Sequence, residues 1–361
     1  MKPTSATVSV ALLLLSSLPR LVSAQSGSET PRTTIGGQWF LNDRAGEVDG
    51  EDVHQFGVDR GYIVIRHRLT DRISGRITPD VTVDREGDGQ GDLKVRLKYA
   101  YADFQLPNIA VLTEPHVEFG LVHRPWLDFE EHLNYYRMQG TMFTERNGLF
   151  NSADYGITLF AELGGRLDAE YRERVNARYP GKYGSVAVGV YNGGGYHAIE
   201  QNVNKSLEGR VTLRPLPEVL PGFQVSYHGI LGKGNSVDRP DWTVNQFMVS
   251  WESVPLVVAG QYYRGRGDSR GSAVDAAGDA LRQSGYSVFA EVRLPVPVSV
   301  LGRYDYFDPT PDTDGGEEHR VISGVAYHLR GHSKVLIDLD ALRRDGRAVS
   351  TLVKAGIEFS F

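Results

Sequence analysis

The feature that most constrains the fold of this chain is a recurring alternation of apolar and polar residues. In LKVRLKYAYADF, residues 93–104, side chains with a period of two divide into an apolar or aromatic face and a cationic face. The first face holds Leu93, Val95, Leu97, Tyr99 and Tyr101, and the second holds Lys94, Arg96 and Lys98. A soluble sheet with one wet face fits this pattern, and so does a membrane barrel with lipid outside and a polar lumen inside.

Alternating segments recur from end to end, and we count sixteen of them. Most exceed the usual soluble strand of about 5–6 residues. They fit a tilted membrane-crossing strand, which needs about 9–11 residues. An even number of strands returns both ends of a barrel to one side. The pattern predicts an all-β fold, a transmembrane antiparallel β-barrel of about 16 strands, with strand-end aromatics such as Tyr99 and Tyr101 facing the lipid interface.

The predicted connections differ in length between the two sides of the barrel. One side has mostly short turns marked by Pro, Gly, Asp or Ser, such as 69–72 and 252–256. Several connections on the other side are longer and polar: 43–54, 84–92, 126–154, 193–204, 268–281 and 309–318. Short inner turns and long external loops are typical of bacterial barrels. The segment 165–182 is too long for an inner turn, and the sequence leaves a turn, a helix or an extra hairpin open there.

The N-terminus predicts export. Residues 1–24 contain Lys2, an apolar run at 8–15 and small residues at 22–24, the pattern of a signal peptide cleaved after Ala24. Residues 25–361 would then form the barrel. The final Phe361 closes an alternating strand and resembles the C-terminal signal of outer-membrane proteins. We therefore expect a bacterial outer-membrane protein surrounded by outer-membrane lipid.

Composition argues against several classes of function. Loss of Lys2 and Arg20 with the signal peptide takes the formal net charge from −6 to −8, which disfavours nucleic acid as a partner. The chain has no Cys, so disulfides and thiolate metal sites are excluded. Its His and Ser residues show no nucleophile motif, and no Gly-rich phosphate loop follows a strand. We predict no enzyme activity, no cofactor and no metal site.

The segment DREGDGQGD, residues 84–92, begins like a calcium-binding loop. The twelfth position is Val95 rather than Glu, and it belongs to a predicted strand. A polar hairpin loop is therefore favoured over a weak external calcium site.

Cations collect on the lumen face of the early strands. The alternation of inward and outward side chains along each strand assigns the following cations to this wall: Arg60, Arg66, Arg68, Arg72, Arg76, Lys94, Arg96, Lys98 and Arg124. Neighbouring strands lie about 4.8 Å apart, so these side chains would form one patch. Asp80 and Glu118 are the few acids expected near it. Such a wall attracts anions, whereas cations facing acids across the lumen would give an unselective transverse field.

The longest connection, residues 126–154, is rich in aromatic residues. It contains Trp126, Phe129, Tyr135, Tyr136, Phe143 and Phe150, more than a solvated loop would expose. We predict that it folds into the barrel and narrows it, which would bring His132, Arg137 and Arg146 to the constriction. An external lid or a latch between subunits is the alternative.

Several motifs resemble the phosphate-selective porins O and P. They are RGYIVIRHRLTDRISGRITPDVT (60–82), LKVRLKYAYADF (93–104), the stretch 119–156 with its elements Pro125-Trp126, Tyr136-Arg137-x-Gln139-Gly140 and SADYG (152–156), and VGVYNGGG (188–195). The resemblance implies a sixteen-stranded, usually trimeric barrel that passes anions or small solutes without energy input. It also implies a pore-lining arginine ladder, matched here by Arg66, Arg68, Arg72, Arg76, Arg96 and Arg124, and a phosphate-binding lysine cluster. Residues 126–154 contain no Lys.

Together these features predict a passive outer-membrane porin that prefers anions such as phosphate. Its expected partners are small anionic or polar solutes, outer-membrane lipid and two further copies of the chain in a homotrimer. Two alternatives remain open: a nonspecific or carbohydrate-passing porin, and a structural or adhesive barrel that does not conduct.

Overall fold

The computed structural model describes residues 32–84, 89–313 and 315–361. The predicted signal peptide lies outside these residues, as do Glu86 and Asp88 of the calcium-like segment. The described chain forms one closed antiparallel barrel in which each strand pairs with its sequence neighbours and the first pairs with the last. The predicted sixteen-stranded fold is confirmed.

The strands and short helices follow one another in the following order. The strands are β1 (Arg32–Val48), β2 (Glu51–Arg68), β3 (Ile73–Val83), β4 (Leu93–Gln105), β5 (Leu112–His123), β6 (Ala153–Leu163), β7 (Gly184–Tyr191), β8 (Ser206–Leu213), β9 (Phe223–Lys233), β10 (Asp241–Glu252), β11 (Leu256–Arg266), β12 (Arg282–Arg293), β13 (Val298–Asp308), β14 (Glu318–His328), β15 (Lys334–Arg344) and β16 (Arg347–Ser360). The helices are α1 (Leu127–Leu133), α2 (Phe143–Arg146) and α3 (Ala169–Arg174), with a 3₁₀ turn at Arg137–Gln139.

The outer face of the barrel is apolar. Leu93 and Val95 are 57% and 67% exposed, and apolar side chains on other strands are exposed in the same way, including Ile157, Val188, Phe247, Val288 and Val325. Closure pairs the backbone groups that an open sheet edge would leave free, which a lipid environment requires. No helix in the described ranges is both long and apolar enough to cross a bilayer.

The first hairpin differs from its prediction. Residues 43–54 were expected to be a long external loop, but β1 and β2 pair as far as Val48 and Glu51. Only Asp49 and Gly50 connect them, with φ of 51° and 84°. Positive φ at both central residues is the type I′ geometry that suits the twist of paired strands, and Asp-Gly is a preferred sequence for it. The hairpin therefore continues as strand beyond the predicted boundary.

Two long segments fold inside the barrel. The constriction loop, residues 124–152, joins β5 to β6 and carries α1, the 3₁₀ turn and α2. The β6–β7 link, residues 164–183, enters from the end that holds Phe361 and contains α3, which answers the question left open for 165–182. The apolar core of the protein lies between the constriction loop and the inner faces of the strands, where Trp126, Phe129, Phe143 and Phe150 pack against Met248, Val257, Phe289 and Leu301.

Candidate functional site: the narrowed lumen

The constriction loop is fastened to the inner wall along its outward path. Arg124 forms an ion pair with Glu208 of β8, and the indole of Trp126 stacks on His228 of β9 at 5.3 Å. Further along, Glu130 accepts hydrogen bonds from Gln261 of β11 and from the Trp126 indole. These contacts follow the wall from strand to strand, so the loop crosses the lumen instead of closing over it.

The loop reaches the far side of the barrel and returns. The hydroxyl of Tyr136 donates to Glu291 of β12, and Lys354 of β16 donates to the Gln139 carbonyl at 3.2 Å. On the way back Arg146 bonds that same carbonyl at 3.0 Å and lies 3.3 Å from Asp305 of β13. The structure therefore places the loop inside the barrel, against the half of the wall formed by β8–β16.

A narrow gap remains between the loop and strands β2–β4. We call it the eyelet and define it by Arg60, Tyr62 and Lys98 on the wall and Glu131 and Arg137 on the loop. Tyr62 accepts hydrogen bonds from Arg60 Nη1 at 3.3 Å and from Lys98 Nζ at 3.2 Å. Arg137 is paired with Glu131 and lies close enough to Arg60 for their charges to interact. Three cationic groups thus converge on one phenol.

Lys98 reaches the eyelet because β4 contains a bulge. The pairing with β3 shifts between Thr78 and Pro79, so Lys98 is an extra residue with no partner across the strand pair. Both Lys98 and Tyr99 then point inward, at 4% and 7% exposure. The predicted lipid-facing position of Tyr99 and Tyr101 is wrong, because strict alternation ends at the bulge. Arg76 lies over the Tyr99 ring, 4.6 Å from its centre.

Four lumen cations on β2–β4 have no acidic partner. Arg60, Arg66, Arg76 and Lys98 have no carboxylate oxygen within 4.0 Å among the residues that the structure describes. Arg76 instead bonds Thr78 at 2.9 Å and His123 at 3.1 Å, while Arg66 is exposed to the lumen. Since a cation without a paired acid keeps its attraction for mobile ions, this sector of the wall is positive.

The lumen wall formed by β12–β16 is internally neutralised. Its cations each lie within ion-pair distance of a carboxylate: Arg293–Glu291 (3.1 Å), Arg303–Asp305 (2.7 Å), Arg320–Asp340 (2.6 Å), Lys334–Glu358 and Lys354–Asp338 (3.1 Å). The lumen is therefore divided into a positive sector on β2–β4 and a paired sector on β12–β16.

The remaining residues of the predicted cationic wall occupy different environments. Arg96 is paired with Asp80 at 2.6 Å, and Lys94 lies 3.4 Å from Asp84. Arg68 is exposed near the β2–β3 turn, 4.0 Å from the turn residue Asp71. These cations lie at or near the lumen, but acids offset their charge.

Two predicted wall positions do not belong to the open wall. Arg72 was assigned to the third strand, but β3 begins at Ile73, so Arg72 lies exposed in the preceding turn. Arg124 is 0% exposed, since it is enclosed by Glu208 and the rings of Phe150 and Trp242. Alternation along the strands predicted that these side chains face inward, but it could not show that the constriction loop would cover Arg124.

The three residues predicted at the constriction all belong to the packed loop. Arg137 lines the eyelet, whereas Arg146 is turned towards Asp305 on the opposite wall. His132 is buried, with Nε2 3.6 Å from Glu252 and its ring between Phe129 and Tyr179. Only Arg137 of the three therefore lies beside the gap.

The β6–β7 link supports the constriction loop from the Phe361 end. Arg178 and the Tyr179 hydroxyl bond the two oxygens of Asp128 at 2.7 and 2.6 Å. Burial would raise the pKa of Asp128, but Arg178 above all holds it well below its usual range, so the carboxylate stays charged. The sequence did not predict this contact, although the unusual length of the link was a signal.

Beyond the eyelet the lumen opens into a cavity of about 920 Å³, which we call the vestibule. The wall contributes Arg66, Arg76 and Tyr99 to its lining, and the link contributes Arg172 and Arg178. A solute that passed the eyelet would enter this space between the cations of the wall and the link, whose Arg178 is paired with Asp128 and whose Glu173 also lines the cavity.

Solved structures with the same architecture are bacterial outer-membrane proteins. An anion-selective porin from Comamonas acidovorans has a TM-score of 0.61, with 92% of this chain and 100% of that chain covered. OmpT from Vibrio cholerae, in its trimer form, has a TM-score of 0.60 with the same coverage. Salmonella typhi OmpF in complex with daunomycin has a TM-score of 0.60, covering 91% and 97%. Each is 12% identical in sequence to this chain, so the similarity concerns the fold.

No protein-family model and no curated protein matches the chain. Membership in the phosphate-selective O/P family therefore stays a prediction, while the sixteen-stranded barrel fold that the chain shares with solved porins is established. The closed barrel with its apolar outer face belongs in a bacterial outer membrane, which confirms the predicted location.

Proposed function

We propose that this protein is a passive outer-membrane channel that prefers anions. The observation that carries the proposal is the set of four unpaired cations on adjacent strands β2–β4, on the side of the lumen that the constriction loop leaves free. Rings and rows of Arg and Lys are a known device for attracting anions into pores.

The unpaired state of these cations matters more than their number. An ion pair a few ångströms across has a field that falls steeply with distance, whereas a single cation in a low-dielectric wall acts over about 10 Å at 0.1 M salt. A local positive sector can therefore concentrate anions although the whole chain is negative. Two of the unpaired cations, Arg60 and Lys98, lie together at the eyelet beside the Arg137–Glu131 pair.

Small inorganic anions, phosphate among them, are the proposed solutes. Guanidinium groups present several N–H donors in a plane and match the oxygens of phosphate or carboxylate. The constriction loop lacks the lysine cluster of the phosphate-selective porins, so we propose a general preference for anions with phosphate as one candidate. Passage needs weak binding, because a solute held tightly at the eyelet would not leave.

We also propose that the protein assembles as a homotrimer. The support is the architecture itself, since the OmpT structure of Vibrio cholerae with the same fold is described as a trimer. Chemical crosslinking of the detergent-purified protein should give a ladder that ends at three subunits, and a ladder ending at two or at one would refute the trimer.

A non-conducting barrel is the second candidate, and one observation favours it. The eyelet residues Tyr62, Lys98 and Arg137 are 7%, 4% and 7% exposed, so the gap between loop and wall is nearly filled by side chains. These side chains are long and flexible, and their rearrangement would open the gap.

The test is reconstitution of the purified mature protein in a planar bilayer under a potassium chloride gradient. We expect discrete conductance steps and a zero-current potential whose sign shows that chloride is more permeant than potassium. Preference for potassium would overturn the anion proposal and leave a porin of mixed character. No conductance from protein shown to be folded by its heat-modifiable gel mobility would support the structural barrel.

A further inference from the structure

The β6–β7 link is far longer than its position in the barrel requires. It spans residues 164 to 183, whereas residues 253–255 suffice for the turn between β10 and β11 at the same end. Long segments inside a compact domain are usually functional. The link is also ordered by specific contacts at its base and along its returning arm.

The base of the link is closed by backbone pairing. Leu167 N–H donates to the Pro180 carbonyl at 2.8 Å, and Lys182 N–H donates to the Gly165 carbonyl at 2.9 Å. Gly181 N–H is bonded by the Glu162 side chain of β6 at 2.8 Å. The base therefore has the geometry of a hairpin neck, and the residues between Leu167 and Pro180 form an excursion that starts and ends at one point.

The returning arm of the excursion, residues 176–179, lies inside the barrel against the constriction loop. Arg178 and Tyr179 hold Asp128, and the Tyr179 ring meets Phe129 edge-on at 5.0 Å. Asn176 bonds Glu252 of the wall at 2.8 Å, and its amide lies 3.4 Å from the His132 carbonyl. The link thus bridges α1 of the constriction loop to the β10 wall.

The link also contributes to the lining of the vestibule. Arg172, Ala177 and Arg178 border the same cavity as Arg66 and Arg76 of the unpaired wall. Arg178 also lies near enough to Arg66 for their charges to interact. The space below the eyelet is therefore bounded by the wall on one side and by the link on the other.

We infer that the β6–β7 link is a second constriction element, which narrows the pore below the eyelet and holds the constriction loop in place. This inference rests on the proposed channel function. Two inserted segments, one from each end of the barrel, meet at Asp128 and leave a path along β2–β4. Solutes therefore pass two constrictions in series.

Excision of the excursion, residues 168–179, tests the inference. Replacing residues 168–179 with two glycines keeps the hydrogen-bonded neck at Leu167 and Pro180, so the barrel should still close. We expect the single-channel conductance to rise at least twofold and brief current fluctuations to increase, because the constriction loop loses its support. A matched control replaces residues 275–279 of the external β11–β12 loop, whose neck is closed by the Val274–Ala280 bridge, and should leave conductance unchanged.

Unchanged conductance and noise in the excised, folded protein would overturn the inference while leaving the channel proposal intact. If the wild type does not conduct but the excised variant does, the link is a plug; the inference is then upheld and the open-channel proposal fails.

Cysteine labelling provides a second test that does not depend on excision. The chain has no Cys, so Ala177→Cys introduces a single thiol on the vestibule face of the link. A negatively charged methanethiosulfonate added from the side of the Phe361 end should lower the current of Ala177→Cys by a third or more. The matched variant Ala276→Cys, on the exposed external loop, should not respond. An unaffected Ala177→Cys channel, with labelling shown by mass spectrometry, would contradict the inference.

Discussion

At the scale of single residues, the interior of this barrel consists largely of polar groups whose partners come from distant strands. Arg124 at the start of the constriction loop and Glu208 of β8 are both fully buried, and aromatic rings surround the guanidinium. Removing one partner of a buried pair leaves the other charge without compensation, which costs far more than the pair itself contributes.

We therefore predict that Arg124→Gln lowers the free energy of unfolding by about 3–5 kcal/mol, because Glu208 is left buried and unpaired. The double variant Arg124→Gln/Glu208→Gln should recover part of this loss. Urea unfolding in detergent micelles, followed by tryptophan fluorescence, measures both.

The matched control is Arg344→Gln, which breaks the exposed pair with Glu318 and should cost less than about 1 kcal/mol. Equal losses for Arg124→Gln and Arg344→Gln would contradict a structural role for the buried pair.

Glu130 makes the packing of the constriction loop dependent on pH. Burial above all raises the pKa of this carboxyl to about 7 from an ordinary value of 4.5. A carboxyl whose pKa is higher in the folded protein stabilises the fold below pH 4.5, and that stability is lost as the pH rises through 7. The difference corresponds to roughly 3 kcal/mol.

We predict that the wild type resists urea better at pH 5 than at pH 8. Glu130→Gln, which keeps the shape of the side chain but cannot ionise, should reduce this pH dependence. The urea midpoint of both proteins at the two pH values is the measurement, and an identical pH dependence in the two proteins would exclude Glu130 as the cause.

At the scale of elements, the bulge in β4 determines which side chains reach the eyelet. Up to Leu97 the strand alternates as its sequence predicts, and beyond Lys98 the two faces exchange. The physical reason is that one unpaired residue shifts every later side chain by one position. Lys98 is the residue of β4 that has no partner on β3.

This leads to a prediction about two single-residue deletions. Without Lys98, Leu97 still faces lipid and Tyr99 still faces the lumen, so the barrel should fold with a loss of about 1 kcal/mol from the missing hydrogen bond. Without Arg96, Leu97 would turn inward and Lys98 would turn towards lipid, which costs about 2–4 kcal/mol near the middle of the bilayer. Asp80 would also lose its partner.

Heat-modifiable gel mobility after refolding distinguishes the two deletions. We expect the protein without Lys98 to migrate as a folded barrel and the protein without Arg96 to refold poorly. Equal refolding of both would mean that the strand re-registers freely and that the bulge has no defined position.

Most of the strands and the inward fold of the longest loop could be predicted from the sequence. Alternation predicted sixteen strands, and the aromatics between Trp126 and Phe150 predicted an inward loop. The first hairpin was missed although its signal was present, since Asp49-Gly50 favours the type I′ turn that the structure contains. The link could not be predicted as an inserted segment because most of its residues are charged or polar, and its anchors on Asp128 and Glu252 are far away in sequence.

At the scale of the whole molecule, the barrel separates its lumen charges into two sectors. Alternation in the sequence predicted most of the inward cations, but it could not show which of them are paired with a carboxylate. Arg320 and Arg76 both lie at inward positions of alternating strands. Only Arg320 is paired with an acid, Asp340, on the neighbouring strand. Pairing depends on register between strands, and register is set by closure of the whole barrel.

We propose that the four unpaired cations on β2–β4 give the channel its preference for anions. The most direct test compares the zero-current potential of the wild type with that of a variant carrying Arg60→Gln, Arg66→Gln, Arg76→Gln and Lys98→Gln. A control variant removes the same charge from exposed pairs at the external rim, by Lys205→Gln, Lys233→Gln, Arg282→Gln and Arg344→Gln.

Under a potassium chloride gradient we expect the wild type and the rim variant to favour chloride, and the lumen variant to lose this preference or favour potassium. Chloride preference that survives in the lumen variant, from protein shown to be folded, would show that these four cations do not set the selectivity. The selectivity would then have to come from elsewhere in the barrel.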